Sequence, residues 1–140
     1  MSVCTFFGHR NAPENIISEL QKIITDLIEK NDVNHFYVGN NGNFDLMVKK
    51  VLDEELLCRQ GIKYEVVLAY LPKNNEKEIE HSIFPEGQES VPPKYAILRR
   101  NMWMIERSDY VVTYVTKTHG GAAKSKEMAE KKNKKIIEIK

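Results

Sequence analysis

Arg100 and the segment Ser108 to Glu127, SDYVVTYVTKTHGGAAKSKE, carry the residue types best suited to chemistry in this chain. A β-branched and aromatic run, Tyr110 to Val115, stops at a short polar loop; the pair Gly120-Gly121 follows, then a helix-forming stretch. Strand, tight turn and helix in that order leave the backbone N–H groups of Gly120, Gly121 and Ala122 bare at a helix N-terminus. There the aligned dipole adds about 0.3–1 kcal/mol to the hold on an anion. A ligand-free strand-to-helix turn would use the same glycines. Arg10 and Arg100 carry guanidinium groups that can take a phosphate through two parallel N–H bonds. The alternative for each is a solvated arginine or an internal ion pair.

Two other loops hold residues of the same kind. Gly8-His9-Arg10 ends the first apolar run, and Gly39-Asn40-Asn41-Gly42-Asn43 ends the second. His9 and His119 fall on loops where they could meet phosphate. Asn40, Asn41, Asn43 and Asp45 suit either hydrogen bonds to a ribose or base, or turn formation. Trp103, Met102 and Met104 fall on a helix, where packing is the ordinary explanation and base stacking by Trp103 the less common one; Tyr70 is a similar case. The four histidines show no metal-ligand spacing and no His/Cys cluster exists, so neither a metal nor a cofactor is expected. No Ser/His/Asp or Cys/His arrangement can be argued.

The elements that must position these loops follow from periodicity. Strands are expected at Val3–Phe7, His35–Val38, Lys63–Leu71, Tyr110–Val115 and Lys134–Ile139. Helices are expected from Pro13 to about Lys30, from Phe44 to near Gly61, over about 95–107, and from Gly121 to about Lys132. The segment 72–94 is polar, holds four of the five prolines, and reads as a long inserted loop with one or two helical turns over Glu76 to Ser82. The alternation predicts one α/β domain over 1–140, a Rossmann-like three-layer α/β/α sandwich with a mostly parallel five-stranded sheet. Ligands of such folds bind beyond the carboxyl ends of the strands. Three of the four loops expected at that edge carry glycine.

Composition excludes several classes. The chain has 140 residues, 41% apolar and 29% charged, which describes one globular domain. A net charge of +1 gives no push towards DNA, RNA or acidic lipid, and a broad basic surface with interleaved aromatics is not evident. Cys4 and Cys58 read as reduced core thiols. No run approaches ~18 apolar residues and the N-terminus lacks a basic region, so no signal peptide or span is expected and the localisation expected is cytoplasmic.

The layout resembles the SLOG superfamily, the Rossmann-like group that includes LOG-type nucleotide phosphoribohydrolases, DprA and small YpsA-like proteins. Arg100 stands nine residues before Asp109, Gly120-Gly121 matches the family's glycine pair, and Glu127 falls at the position of its glutamate. Gly42 to Met47, GNFDLM, looks like its second Gly-rich turn, and Gly8-His9-Arg10 sits at the first phosphate-side turn. Ala123 stands in place of the third glycine and Lys124 in place of the threonine; the segment 82–104 looks closer to the YpsA-like members.

The resemblance implies a nucleotide-derived small-molecule ligand, a nucleotide or ADP-ribose-like compound, held at the Gly-rich loops by a binding or sensing module. One alternative it implies is a nucleoside 5′-monophosphate N-glycoside hydrolase, with Arg100 and Glu127 catalytic and the Glu127 carboxylate facing an oxocarbenium-like state. Lys124, Lys126, Glu130 and Lys131 around Glu127 equally suit a mixed-charge helix face. A further alternative is a sponge for a cyclic nucleotide-like signal. No nucleic-acid or membrane partner is expected. A homodimer is, with helix 95–107 as its interface.

Overall fold

A computed structural model describes residues 2–71 and 81–140. The chain alternates strand and helix: β1 (Ser2–Gly8), α1 (Ile17–Lys30), β2 (Val33–Val38), α2 (Asn43–Cys58), β3 (Lys63–Val67), β4 (Ser82–Ile83), α3 (Ala96–Glu106), β5 (Tyr110–Tyr114), α4 (Gly121–Lys131) and β6 (Lys135–Glu138). Every pairing is parallel and the order across the sheet is β4-β3-β2-β1-β5-β6.

Because every strand is covered, the central ones read as continuous apolar runs instead of alternating ones. Cys4, Phe6, Phe36, Val38 and Val112 point to α1 and α2, where Leu20, Ile24, Leu27, Val48 and Leu52 complete the larger core. Phe7, Tyr37, Val67 and Val111 point the other way, onto Met104 and Ile105 of α3 and Ala129 of α4. α1 and α2 pack together on one face, α3 and α4 on the other. The Rossmann-like α/β/α expectation therefore holds.

Among the described residues the sheet has six strands where five were expected. β4 is two residues long, too short to show a period, and lies inside the segment read as a loop. Its pairing is secured by Val66 N–H to His81 O and Leu68 N–H to Ile83 O, both 2.8 Å. β3 in turn stops at Val67, short of the expected Leu71. Beyond it the buried Gln88 amide donates to Ala69 O (3.2 Å) and Ala96 O (2.7 Å), tying the strand exit to the start of α3. The helical turns expected at Glu76 to Ser82 fall largely outside the described residues; Ser82 itself is in β4.

Cys4 is a core thiol, its pKa pushed up by burial, but Cys58 is exposed at the end of α2. Among the described residues the large exposed apolar side chains are Leu46, Leu57, Tyr70, Leu71 and Tyr95. Of the helix expected over 95–107 as a dimer face, Tyr95 is exposed while Met104 and Ile105 are buried within the chain. Among the described residues no helix is long and apolar enough to cross a membrane.

Candidate functional site

β1 and β5 lie side by side, yet the chain leaves β1 for the α1 face and leaves β5 for the α4 face. Loops that diverge at this point open a crevice above the carboxyl ends of the strands. Its volume is about 390 Å³. β1 and its exit contribute Phe6, Phe7, Gly8, His9, Arg10 and Asn11; the β2–α2 turn contributes Gly39, Asn41 and Asp45. α3 supplies Ile97, Arg100, Asn101 and Met104, and the β5–α4 turn supplies Lys117, Gly121 and Ala122. Arg10, Asn41, Arg100 and Gly121, distant in sequence, thus border one hollow.

Two helices start at this edge with the same backbone device. Gly42 (φ 93°, ψ −178°) precedes α2 and Gly120 (φ 99°, ψ 175°) precedes α4, and neither helix has a side-chain cap. Both conformations lie where L side chains are strained. The two ends differ in what covers them. Asn43 N–H donates to Arg10 O at 2.8 Å, and a Cβ on Gly42 would lie 2.6 Å from Arg10 Cα, so the β1 loop fills the start of α2. A Cβ on Gly120 or Gly121 would meet nothing within 4 Å, so the start of α4 is open.

The floor is a buried polar network. Arg100 is 2% exposed and each of its three nitrogens donates within the protein: Nε to Asn101 Oδ1 (2.8 Å), Nη1 to Val67 O (2.9 Å) and Nη2 to Asn41 Oδ1 (2.9 Å). Asn41 N–H donates to Asp45 Oδ2 at 2.9 Å, and Asn101 Nδ2 donates to Ser125 Oγ at 3.0 Å. Gly39 has no room for a side chain, because a Cβ there would lie 2.7 Å from Asp45 Oδ2 and 3.3 Å from Arg100 Cζ. Burial pushes the Asp45 carboxyl up, against the pull of the Asn41 N–H and of Arg100, Lys49 and Arg10. Burial lowers the Arg100 guanidinium, and Asp45 opposes that. The bidentate fork of Arg100 is spent on holding Asn41 and the β3 exit.

His9 joins the other two loops. Its Nε2 accepts the Thr116 N–H at 2.8 Å and its ring stands edge-on to Tyr114 at 6.0 Å. Accepting at Nε2 places the ring proton on Nδ1 in the neutral form. Desolvation, with Lys117 and His119 nearby, lowers its pKa. The cations at the mouth are Arg10, which is exposed, and Lys117.

The remaining expected residues lie off the crevice wall. Asn40 is exposed and accepts from Lys49 Nζ at 3.2 Å; Asn43 is exposed at the first turn of α2; Gly42 and Gly120 shape the turns behind the lining; His119 is exposed. Glu127, expected as the catalytic carboxylate, is 67% exposed and pairs with Lys131 at 3.5 Å on the outer face of α4. Trp103 packs edge-on to Tyr37 (5.1 Å) under the Arg107 guanidinium (4.1 Å), and Tyr70 donates to Pro93 O at 2.7 Å. Among the described residues no group of three His, Cys, Asp or Glu side chains is placed to hold a metal ion.

Lys117, Asn101, Ser125, Phe7 and Ile97 were not singled out from the sequence, Met104 was expected only to pack, Gly39 was named only within its loop, and Asp45 was one of several turn-region polar residues. Lys117 could have been found, since it shares its loop with His119 and the glycine pair. The wall residues have no signature beyond core periodicity.

No family model and no curated protein matches the chain. Among solved structures, the chain is similar to DNA processing protein A from Helicobacter pylori, described for its single-stranded DNA binding mode: 16% identity over 98% of this chain, TM-score 0.66. The match covers 64% of that longer chain. At this identity the likeness establishes the fold, a Rossmann-like arrangement that the SLOG resemblance also implies, since DprA is one of its members. It also corrects two expectations. A small-molecule ligand with nucleic acid excluded does not stand, nor do the hydrolase and sponge alternatives built on it. The exclusion rested on overall charge and on the lack of an evident broad basic surface with interleaved aromatics, whereas a protein of this same fold binds single-stranded DNA. A strand can be held by a few local cations and bare N–H groups at one loop edge, which a whole-chain charge of +1 does not report.

Proposed function

We propose that this domain binds single-stranded DNA at the crevice above β1 and β5. Phosphate is held at the open start of α4 by Gly121 and Ala122 N–H groups, with Arg10 and Lys117 supplying charge. Arg100 serves as the positioning residue beneath. The observation that carries this reading is the convergence of three loops and the α3 wall on one hollow, where the start of α2 is filled by the β1 loop and the start of α4 is open. The neighbour's single-stranded DNA binding supports it by fold. A crevice of about 390 Å³ is of the size that takes a small molecule or one nucleotide unit, not a stacked duplex. The segment 82–104 supports a place near the YpsA-like members.

Few phosphates are engaged, so affinity is modest and its salt dependence shallow. Fluorescence anisotropy with a labelled single-stranded oligonucleotide, its duplex and a salt series tests this. Preference for the single strand is expected, with a log–log salt slope of about −0.7 for each of two or three phosphates. Arg10→Ala or Lys117→Ala should weaken binding and flatten that slope. No binding at low salt, or equal binding after both substitutions, rejects the proposal.

A further inference from the structure

One group in the crevice is of the wrong sign for phosphate. Asp45 lines the hollow while 8% exposed, and of its two oxygens Oδ2 accepts the Asn41 N–H. A carboxylate accepts hydrogen bonds and repels other acceptors, so what sits against it must present donors. The Arg100 guanidinium beside it donates from each nitrogen to protein oxygens, the exposed cations Arg10 and Lys117 lie at the mouth, and the bare N–H groups lie at the start of α4. Between mouth and floor the wall carries Ile97, Met104 and Phe7, apolar surface suited to the faces of a planar ring. The crevice is therefore polarised: anion-binding at its rim, apolar along its side, hydrogen-bond accepting at its floor.

We infer that Asp45 is a specificity-determining residue: one nucleotide of the bound strand enters the crevice with a base amino group turned to the Asp45 carboxylate, so that cytosine, adenine or guanine is taken in preference to thymine. This rests on the strand binding proposed above. Cytosine offers its N4 amino group, and carboxylates accept from that group in duplex readout as well. Thymine offers only N3–H, flanked by two carbonyl oxygens that would face the same carboxylate. Burial raises the Asp45 carboxyl, while the Asn41 N–H, Arg100, Lys49 and Arg10 oppose that and favour the ionised form that makes the discrimination. Asn41, oriented by Arg100 Nη2, fixes the carboxylate in place.

The test compares oligo-dC with oligo-dT of equal length on the full chain by competition anisotropy, since neither strand stacks strongly. Oligo-dC is expected to bind about tenfold more tightly. An oligonucleotide of N4,N4-dimethylcytosine, which has no amino hydrogens, is expected to fall to the oligo-dT level; this arm needs no variant. Asp45→Asn keeps an oxygen for the Asn41 N–H but adds a donor, and is expected to bring the dC:dT ratio to about one or invert it. Equal binding of dC and dT by the unmodified chain, or undiminished binding of the dimethyl oligonucleotide, overturns the role of Asp45 and leaves strand binding standing. Failure of every oligonucleotide to bind overturns both.

Discussion

Arg100 Nη2 donates to Asn41 Oδ1 at 2.9 Å across 59 residues of sequence. That bond joins α3 to the turn between β2 and α2, and Asn41 passes the constraint to Asp45 through its own N–H. A buried guanidinium with all three nitrogens bonded to protein is an architectural element of the crevice. Arg100→Ala would leave Asn41 Oδ1, Asn101 Oδ1 and the Val67 carbonyl without its donors and remove the cation nearest Asp45, and is expected to cost about 3–5 kcal/mol. Arg100→Lys restores the charge but not the planar fork, and is expected to recover only part of that. Urea midpoints decide it: an Arg100→Lys protein as stable as the parent would mean that Arg100 serves the ligand alone.

Gly120 and Gly121 are adjacent and answer to different constraints. Gly120 holds φ 99°, so Gly120→Ala is expected to cost about 1–2 kcal/mol in strain despite the open space around it. Gly121 is helical and unobstructed, so Gly121→Ala is expected to leave stability unchanged or raise it by up to about 1 kcal/mol. Its new methyl group stands on the crevice lining and is expected to weaken oligonucleotide binding. Thermal melting paired with anisotropy separates the two, and a Gly121→Ala protein that binds normally would show that α4's N–H groups are not used.

The turns were legible because glycine before a helix announces a sharp reversal whatever surrounds it; Gly8, Asn41 and Gly121 reach one crevice as their loops suggested. β4 was not, because Ser82–Ile83 is too brief for any period, and its existence depends on the edge of β3 needing a partner. Burial decided the rest. Arg10 and Arg100 look alike in sequence, yet one is exposed and the other is enclosed by α3, β3 and the β2–α2 turn. Asp45 follows the same logic: a polar residue in a helix's first turn gives no sign that it faces inward. The charge total is a poor guide to partners because it does not report where Arg10 and Lys117 stand.

His9 should give the fold an acid-side weakness. Its folded pKa lies below the ordinary 6.5, so the unfolded chain binds the proton more readily. The stabilisation it provides is complete above about pH 6.5 and is lost as pH falls through the lowered folded value. The physical event is protonation of Nε2, which then can no longer accept the Thr116 N–H. Burial of Asp45 acts in the opposite sense: its raised carboxyl favours the fold below the ordinary 3.8 and loses that contribution as pH rises through the folded value. Urea unfolding of the parent and of His9→Gln from pH 7.5 downwards isolates the histidine, and parallel curves for the two proteins would refute its role.

Glu127 should prove dispensable to the crevice. Ser125 faces inward to accept from Asn101, and two residues further along a helix the side chain has turned by about 200°, onto the outer surface. There Glu127 pairs with Lys131, an exposed i,i+4 pair of the kind that contributes little to stability. Glu127→Ala is therefore expected to bind single-stranded oligonucleotides with unchanged affinity and to melt with the parent. Ser125→Val, by contrast, removes the acceptor of a buried Asn101 donor and should lower stability by about 1–3 kcal/mol while loosening Arg100 through Asn101. Loss of binding in Glu127→Ala with an unchanged melt would place the working face of α4 on the opposite side of the helix from the crevice.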